Sequence, residues 1–240
     1  MPSMNESTRW EEAIDIDGRV IVLDEVASTQ DAAVEHDLVA GDVCATLTQT
    51  AGRGRRGSCW NASGGVAVTV VLESPSPHFS IAVAATLAAQ LNNLVPTHKI
   101  GIKWPNDLFI DGQKLAGILI EHRDGRCLVG VGVNVLESSS GLNAACLAGF
   151  GCDDRAIVAQ CVVASVFAAR DLDEGSAISG WRTRDLLVGT TQCVRSEGKV
   201  IEGVVIEIDP VNNLILETKD GSLTLPAATS TIITPCPTTT

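Results

Sequence analysis

Residues 48–73 read TQTAGRGRRGSCWNASGGVAVTVVLE, which joins a loop rich in glycine and arginine to a long apolar run. The loop, GRGRRG (52–57), formally satisfies G-x-G-x-x-G, and Glu73 lies near the spacing expected for the ribose-binding acid of a dinucleotide fold. A dinucleotide loop opens a helix, however, whereas the Val-rich run 65–73 predicts a strand. The stretch therefore favours a loop between two strands and disfavours a nicotinamide-binding module.

Up to Asp185, the rest of the chain alternates irregularly between strand and helix patterns. Further Val- and Ile-rich runs bounded by Gly, Asp or Pro predict strands at 19–26, 42–49, 99–104, 114–122 and 126–135. Helices are predicted at 28–39, with a hydroxyl cap from Ser28 or Thr29, at 79–95, and at 154–172, capped by Asp153. Tight turns at 105–107, 111–113 and 123–126 join several strands directly. The pattern predicts an α+β fold, with a mixed and mostly antiparallel sheet flanked by helices.

The texture changes after Asp185, where only short strands with turn signals follow. Such a series predicts a small β-barrel of ~50 residues appended at the C-terminus. The expected division is a first domain of residues 1–186 and a second of residues 187–240.

Composition bounds the function. With 45% apolar and 19% charged residues among 240, the chain can bury a core, and its formal net charge of −12 disfavours broad binding to nucleic acid. A small anion at one locally basic site remains compatible with that charge. No apolar run approaches the ~20 residues that span a bilayer, and the N-terminus lacks a secretion pattern, so a soluble cytoplasmic protein is expected.

The metal-ligating residue types are scattered. The eight cysteines form no CxxC pair, and several lie in apolar runs, which predicts reduced, buried thiols. The four histidines show no ligand spacing. No metal ligands are identified among the side chains.

The Gly/Arg loop is the first of three candidate binding segments. Its glycines let backbone N–H groups approach a ligand closely, and Arg53, Arg55 and Arg56 supply bidentate donors for phosphate oxygens. Such a loop should be loose because its like charges repel, and it should order around an anion. The alternative is a solvated surface turn.

The second segment is KWPNDLFIDGQKLAGILIE (103–121). Pro105 cannot donate to a sheet ladder, which places Asp107 at a strand break, and Lys114 begins the apolar strand that follows. A lysine at the mouth of an apolar strand can face a buried anion, although an ordinary hairpin with a surface lysine would give the same pattern.

The third segment is ASTQDAA (27–33), which places Ser28, Thr29 and Gln30 at a predicted helix start. Hydroxyls and an amide beside free backbone N–H groups suit a small uncharged head group, and simple N-capping is the alternative.

Taken in order, S-T-Q, Q-T-A-G-R-G-R-R-G…W, K-W-P-N-D-L…K-L-A-G-I-L-I-E and G-V-G-V-N-V resemble the biotin protein ligases, or biotin–[acetyl-CoA-carboxylase] ligases, over residues 20–136. The resemblance implies a catalytic domain like those of class II synthetases and an SH3-like C-terminal domain. It implies ATP, biotin and Mg²⁺ as reactants, biotinoyl-5′-AMP as the intermediate, and a lysine of a biotin carboxyl carrier protein as the acceptor. A homodimer is compatible with the family.

The resemblance also implies roles for individual residues. Those expected to bind biotin are Ser28, Thr29, Gln30, Gln49, Arg53, Gly54, Arg55, Lys114 and Gly117. Those expected to bind the nucleotide are Arg53, Arg55, Arg56, Trp60, Asn106, Lys114 and Asn134. The catalytic residues would be Lys114, Arg55 and Asp107, with Asp107 orienting or deprotonating the acceptor lysine.

Some positions depart from the family pattern. Ser58 and Cys59 stand where many members carry further basic residues, which implies a less basic loop, and no residue stands out as the adenine contact. Barely twenty residues precede the first predicted strand, so no DNA-binding domain is expected. The alternatives are a lipoate–protein ligase with the same adenylate chemistry and a non-catalytic sensor of biotin or nucleotide.

Overall fold

The computed structural model describes residues 5–136, 144–227 and 229–233, without the side chains of Arg56 and Ala62. Its helices are α1 Glu6–Ala13, α2 Thr29–Glu35, α3 Phe79–Leu94, α4 Arg155–Arg170 and α5 Glu174–Arg182. The strands up to residue 133 are β1 Val20–Val26, β2 Val43–Arg53, β3 Cys59–Leu72, β4 Ile100–Lys103, β5 Asp107–Ile110, β6 Gln113–Arg123 and β7 Arg126–Val133. The later strands are β8 Thr191–Ser196, β9 Lys199–Asp209, β10 Asn213–Thr218, β11 Gly221–Pro226 and β12 Ser230–Ile233.

The main sheet has seven strands in the order β1-β2-β3-β7-β6-β5-β4. Only β1 and β2 pair in parallel within it, and every other neighbouring pair is antiparallel. The predicted mixed, mostly antiparallel sheet flanked by helices is therefore confirmed. Because β3 follows directly after the Gly/Arg loop, the nicotinamide-binding alternative is wrong.

Alternating residues of the sheet serve two faces of different character. Val43 and Ala45 of β2 belong to the large core that includes α1, α3, α4 and α5, whereas Cys44 between them packs with Ala32 and Ala33 of α2. The α2 cluster is small, so α2 covers only part of the second face. The uncovered part of the second face forms the floor of a cavity.

The sequence predicted three helices correctly in place but missed α1 and α5. Both are short, and each buries a tryptophan, Trp10 and Trp181, in the main core. Their stability therefore comes from tertiary packing, which local patterns do not reveal. The longest described helices, α3 and α4, have 16 residues each, and no described helix is long and apolar enough to cross a bilayer.

Two predicted helix caps need correction. The N-cap of α4 is Asp154, whose carboxylate accepts from the backbone N–H groups of Ala156 and Ile157, and not Asp153. Ser28 holds the N-cap position of α2, but its side chain makes no capping hydrogen bond there.

The C-terminal strands form a second sheet of five strands in the order β11-β10-β9-β8-β12. All its pairings are antiparallel. Within the described residues, β11 and β12 lie at the two edges and do not pair with each other, so the predicted closed barrel is not what the structure shows. The strands themselves match the predicted ones.

The prediction of reduced thiols holds for six cysteines in the described part of the chain, and Cys44 and Cys127 among them are buried. Burial raises the pKa of the Cys44 thiol to about 12 and that of Cys127 to about 11, which keeps both protonated. Cys193 corrects the prediction, because it is disulfide-bonded.

The corrected cap of α4 can be tested by stability. Asp154→Ala should lower the free energy of unfolding by about 1 kcal/mol, because two backbone N–H groups lose their acceptor. Asp154→Asn keeps an acceptor but loses the ion pair with Arg9, so it should cost less. Asp153→Ala is the matched control and should change little in urea unfolding; a larger loss there would return the cap to Asp153.

Candidate functional site

A cavity of about 370 Å³ lies over the uncovered part of the main sheet. It is bounded by the start of α2, the Gly/Arg loop, and the turn between β4 and β5. Thr231 and Ile232 of β12 also line it, so the second sheet contributes to its wall.

Glycines in β7 open this cavity. A Cβ added at Gly132 would stand 2.2 Å from Nε1 of Trp60, and one at Gly130 would stand 3.1 Å from the amide carbon of Gln30. The strand thus presents bare backbone where side chains would otherwise cover the sheet face. Trp60 and Gln30, both predicted site residues, lie directly against it and line the cavity.

One end of the cavity is a neutral hydrogen-bonded cluster. Oε1 of Gln49 accepts from the backbone N–H of Thr29 at 2.9 Å and from its hydroxyl at 3.3 Å. Thr69 donates its hydroxyl to that of Thr29 at 2.8 Å, and Ser28 lies beside them with 2% exposure. The structure therefore brings together four predicted residues, Ser28, Thr29, Gln30 and Gln49. Thr69 was not predicted, because nothing distinguishes it from other strand threonines in the sequence.

Cations lie elsewhere in the cavity wall. Nζ of Lys114 forms an ion pair with Oδ1 of Asp107 at 2.7 Å and lies 5.4 Å from the centre of the Trp60 ring. Lys103 lines the same cavity, and burial lowers the pKa of its ammonium, while the nearby Asp107 carboxylate opposes the shift. Sequence analysis missed Lys103, although it precedes the predicted WPND turn.

Gly117 and Asn106 fit around this ion pair. A Cβ at Gly117 would stand 3.3 Å from Oδ1 of Asp107 and 3.6 Å from Nζ of Lys114, so glycine keeps the approach to the pair open. Nδ2 of Asn106 donates to the carbonyl of Ile118 at 2.6 Å, and the carbonyl of Asn106 accepts from the N–H of Ile118. These two hydrogen bonds attach the turn between β4 and β5, which contains Asn106, to strand β6.

The Gly/Arg loop is a tight hairpin. The β2–β3 pairing continues to Arg53 and Cys59, well beyond the predicted strand ends at 49 and 65, and residues 55–57 form a short 3-10 helix. The N–H of Gly54 donates to the carbonyl of Ser58 at 2.7 Å. Gly54 lines the cavity, so the loop's backbone also faces it.

Arg55 connects the loop to the second sheet. It lines the cavity, and its Nη2 donates to the carbonyl of Ala227 at 3.3 Å. The side chain of Arg56 lies outside the part of the chain that the structure describes, so its predicted role stays a prediction.

Arg53, which lines the cavity, belongs to a cluster of four charged side chains. Its guanidinium binds both oxygens of Asp31, at 2.7 and 2.8 Å, and approaches Glu121 at 3.5 Å. Arg123 pairs with the same two carboxylates. Hydrogen bonds from Arg53 and Arg123 outweigh burial and hold the pKa of Asp31 at about 2, below its ordinary 3.8. Sequence analysis missed this cluster because its members are far apart in the chain.

Asn134 lies behind the cavity. It is 1% exposed, and its Nδ2 donates to the backbone carbonyls of Ala145 and Lys114 at 2.9 and 3.3 Å. It is not among the residues that line the cavity. These hydrogen bonds hold residues 144–145 against the start of β6.

The charges of the lining residues are unequal. Arg53, Arg55, Lys103 and Lys114 contribute four cations, and Asp107 is the one carboxylate among the described lining residues. No group of His, Cys, Asp or Glu side chains in the described residues could hold a metal ion. The cavity thus concentrates positive charge in a chain of net charge −12, which suits an anionic ligand.

The chain is similar to proteins of one known family. Residues 23–137 match the Biotin/lipoate A/B protein ligase family. The chain is 30% identical over 227 residues to the Bifunctional ligase/repressor BirA of Escherichia coli, covering 85% of this chain and 70% of that protein. The chain belongs to the biotin protein ligase family. A second member, the Biotin–[acetyl-CoA-carboxylase] ligase of Mycobacterium tuberculosis, is 30% identical over 81% of this chain and 83% of its own length.

Solved structures of family members share the fold. The biotin protein ligase from Aquifex aeolicus in complex with biotin and ATP aligns over 90% of this chain and 98% of its own, with a TM-score of 0.78 and 22% identity. The enzyme from Leishmania major in complex with biotinyl-5-AMP aligns over 86% of this chain and 98% of its own, with a TM-score of 0.64 and 19% identity.

The depressed pKa of Asp31 predicts acid-sensitive stability. Because its pKa is lower folded than unfolded, its ionised form stabilises the fold above about pH 4, and that contribution disappears as the pH falls through about 2. The difference in unfolding free energy between wild type and Asp31→Asn should therefore be constant near neutral pH and shrink between about pH 5 and about pH 2. Urea unfolding across that range checks this. A difference independent of pH would contradict the assigned ion pairs.

Proposed function

We propose that this protein is an ATP-dependent ligase that activates biotin as biotinoyl-5′-AMP and transfers it to a lysine of a biotin carboxyl carrier protein. Membership of the biotin protein ligase family supports this, as do the biotin and ATP that the Aquifex aeolicus enzyme binds. The observation that carries the proposal for this chain is one cavity with a neutral polar end and a cationic wall.

The neutral end suits the head group of biotin. A cyclic urea offers one carbonyl acceptor and two N–H donors but no charge, so it needs uncharged partners of both kinds. The hydroxyls of Ser28 and Thr29 and the amide of Gln49 provide them, with Gln30 alongside. Because these side chains are held by one another and by the backbone, little conformational freedom is lost on binding.

The cationic wall suits the first chemical step. A carboxylate oxygen of biotin attacks the α-phosphorus of ATP, and pyrophosphate leaves as the new oxygen–phosphorus bond forms. Both reactants are anions, so Lys114, Arg55 and Lys103 would offset their repulsion and the charge that develops in the transition state. Arg56 and Trp60 would bind the nucleotide beside them, and Gly117 would leave space for the biotin chain. Asn106 lines the cavity and would border the nucleotide. Asn134 lies behind the cavity, so its place near the nucleotide stays a prediction.

The second step needs a base and a dry site. The amine of the carrier lysine attacks the carbonyl carbon of the mixed anhydride, AMP leaves, and the amine loses a proton. Asp107 is the carboxylate of the cavity and would accept that proton or orient the amine. Asp107 forms an ion pair with Lys114. An arriving anion would attract Lys114 away from Asp107. The hairpin over the cavity would keep water from the anhydride.

Further components are proposed on the same basis. Mg²⁺ would enter as the counterion of the ATP phosphates, since the described lining residues offer a single carboxylate, which is already paired with a lysine. Residues 1–186 would form the catalytic domain, and residues 187–240 a domain of the SH3-like type. The carrier would be that of a carboxylase. A cytoplasmic location, a homodimer and the absence of DNA binding remain predictions.

The proposed activity is tested with the purified chain, ATP, Mg²⁺ and a carrier domain. Biotin should become attached to the carrier only when ATP is present, and biotin should support exchange of labelled pyrophosphate into ATP. Exchange with lipoate in place of biotin would favour a lipoate–protein ligase. Binding of biotin with neither exchange nor transfer would favour a sensor and contradict the proposal.

Lys114→Ala should reduce pyrophosphate exchange by at least ~100-fold, because a cation that stabilises the transition state is removed. The substitution shortens a partly exposed side chain, so thermal unfolding should be nearly unchanged. Lys99→Ala, at an exposed position outside the cavity, is the matched control and should keep full activity. Wild-type exchange in Lys114→Ala would overturn its role.

Arg55→Gly should weaken retention of the adenylate, because the loop loses both its contact with Ala227 and a cation facing the cavity. Biotinoyl-AMP should then escape and label lysines of bystander proteins. The measurement is biotin attached to added serum albumin relative to the carrier. Labelling confined to the carrier would count against the proposed retention.

A further inference from the structure

The predicted role of Arg53 was to bind the anionic reactants, and its surroundings indicate another. Its guanidinium is already bound by a carboxylate on each side, Asp31 at 2.7 and 2.8 Å and Glu121 at 3.5 Å. The hydrogen bonds that Arg53 donates to Asp31 raise the pKa of Arg53, which fits a charge held by carboxylates. With Arg123 added, two cations face two anions, so the cluster has no net charge to offer a phosphate.

The cluster joins three parts of the cavity wall. Asp31 directly follows Thr29 and Gln30 in the first turn of α2, while Arg53 ends β2 and directly precedes Gly54 and Arg55. Glu121 and Arg123 lie near the end of β6. The ion pairs among these four side chains therefore hold the base of the Gly/Arg hairpin against the polar end of the cavity.

Geometry favours a fixed attachment over a transient contact. The Asp31–Arg53 pair is bidentate, which constrains direction as well as distance. Asp31 also accepts from Arg123, and Glu121 bridges the two arginines, so each charge has two partners. A closed network of this kind is more restrictive than an isolated surface ion pair.

We propose that Asp31 is a positioning residue that anchors the Gly/Arg hairpin through Arg53, and that Arg53 acts as this anchor and not as an anion ligand. Arg55, which follows it, then carries the loop's charge toward the reactants. The inference rests on the proposed function for its kinetic consequences but not for its structural one.

The structural consequence is tested without any substrate. Trypsin cleaves after Arg55 or Arg56 only when the hairpin opens locally, so the cleavage rate at these bonds reports on its attachment. Asp31→Asn should raise that rate about fivefold, in line with the loss of a partly buried ion-pair network. The matched control is Asp37→Asn, the same change at an exposed carboxylate paired with Arg126 at 3.5 Å, which should leave the rate unchanged.

The kinetic consequence is tested by a double-mutant cycle between Asp31→Asn and Arg53→Gln. If Arg53 acts through Asp31, each single variant should release adenylate about fivefold faster and raise the KM for ATP, and the double variant should be no worse than either. The kcat for transfer to the carrier at saturating ATP should change less than KM, a split that general unfolding would not produce.

The outcomes separate the possibilities. Equal trypsin rates in wild type and Asp31→Asn would overturn the anchor, whatever the activity. A loss of adenylation in Arg53→Gln far beyond that in Asp31→Asn would show that Arg53 contacts the reactants, and would overturn its assignment. If wild type neither adenylates biotin nor transfers it, the proposed function fails, while the trypsin rates still decide the inference.

Discussion

The close approach of side chains to bare backbone in β7 is the constraint on which the site depends. A sheet face is normally covered by its own alternating side chains. Here the side chain of Gln30 occupies that space over Gly130, and the Trp60 ring occupies it over Gly132. Trp60 lies against the strand and also contacts Lys114, whose Nζ is 5.4 Å from the centre of the ring. Lys114 in turn lines the cavity. An ordinary side chain at Gly132 would meet the ring at 2.2 Å and displace this arrangement.

The charge of the cavity lining is opposite in sign to that of the chain as a whole. The chain as a whole is strongly acidic, yet the lining residues carry more cations than carboxylates. The cluster around Arg53 compensates itself, so the excess positive charge that faces the cavity comes from Arg55, Lys103 and Lys114. On the proposed roles, neighbouring arginines of one loop do two different things: Arg53 holds the hairpin in place, and Arg55 meets an anion.

Much of this could be predicted from the sequence because its signals are local. Gly-bounded Val and Ile runs predicted the strands, and the WPND turn and Lys114 lie in one short segment of the chain, residues 103–121. The α1 and α5 helices were missed because each depends on burying one tryptophan in a distant core. The Asp31–Arg53–Arg123 contacts span up to 92 residues, and no pattern along the chain encodes them. The C-terminal barrel was predicted from short strands with turn signals and from the family resemblance, and neither determines which edge strands pair.

The central proposal is that a single cavity receives a neutral head group at Thr29 and Gln49 and an activated carboxylate at Lys114 and Arg55. The most direct measurement is a crystal structure of the chain with biotin and a non-reactive ATP analogue. The ureido ring is expected within hydrogen-bond distance of Thr29 or Gln49, and the biotin carboxylate and α-phosphate within reach of Lys114 and Arg55. Biotin bound elsewhere, or bound here with its carboxylate turned away from both cations, would contradict it.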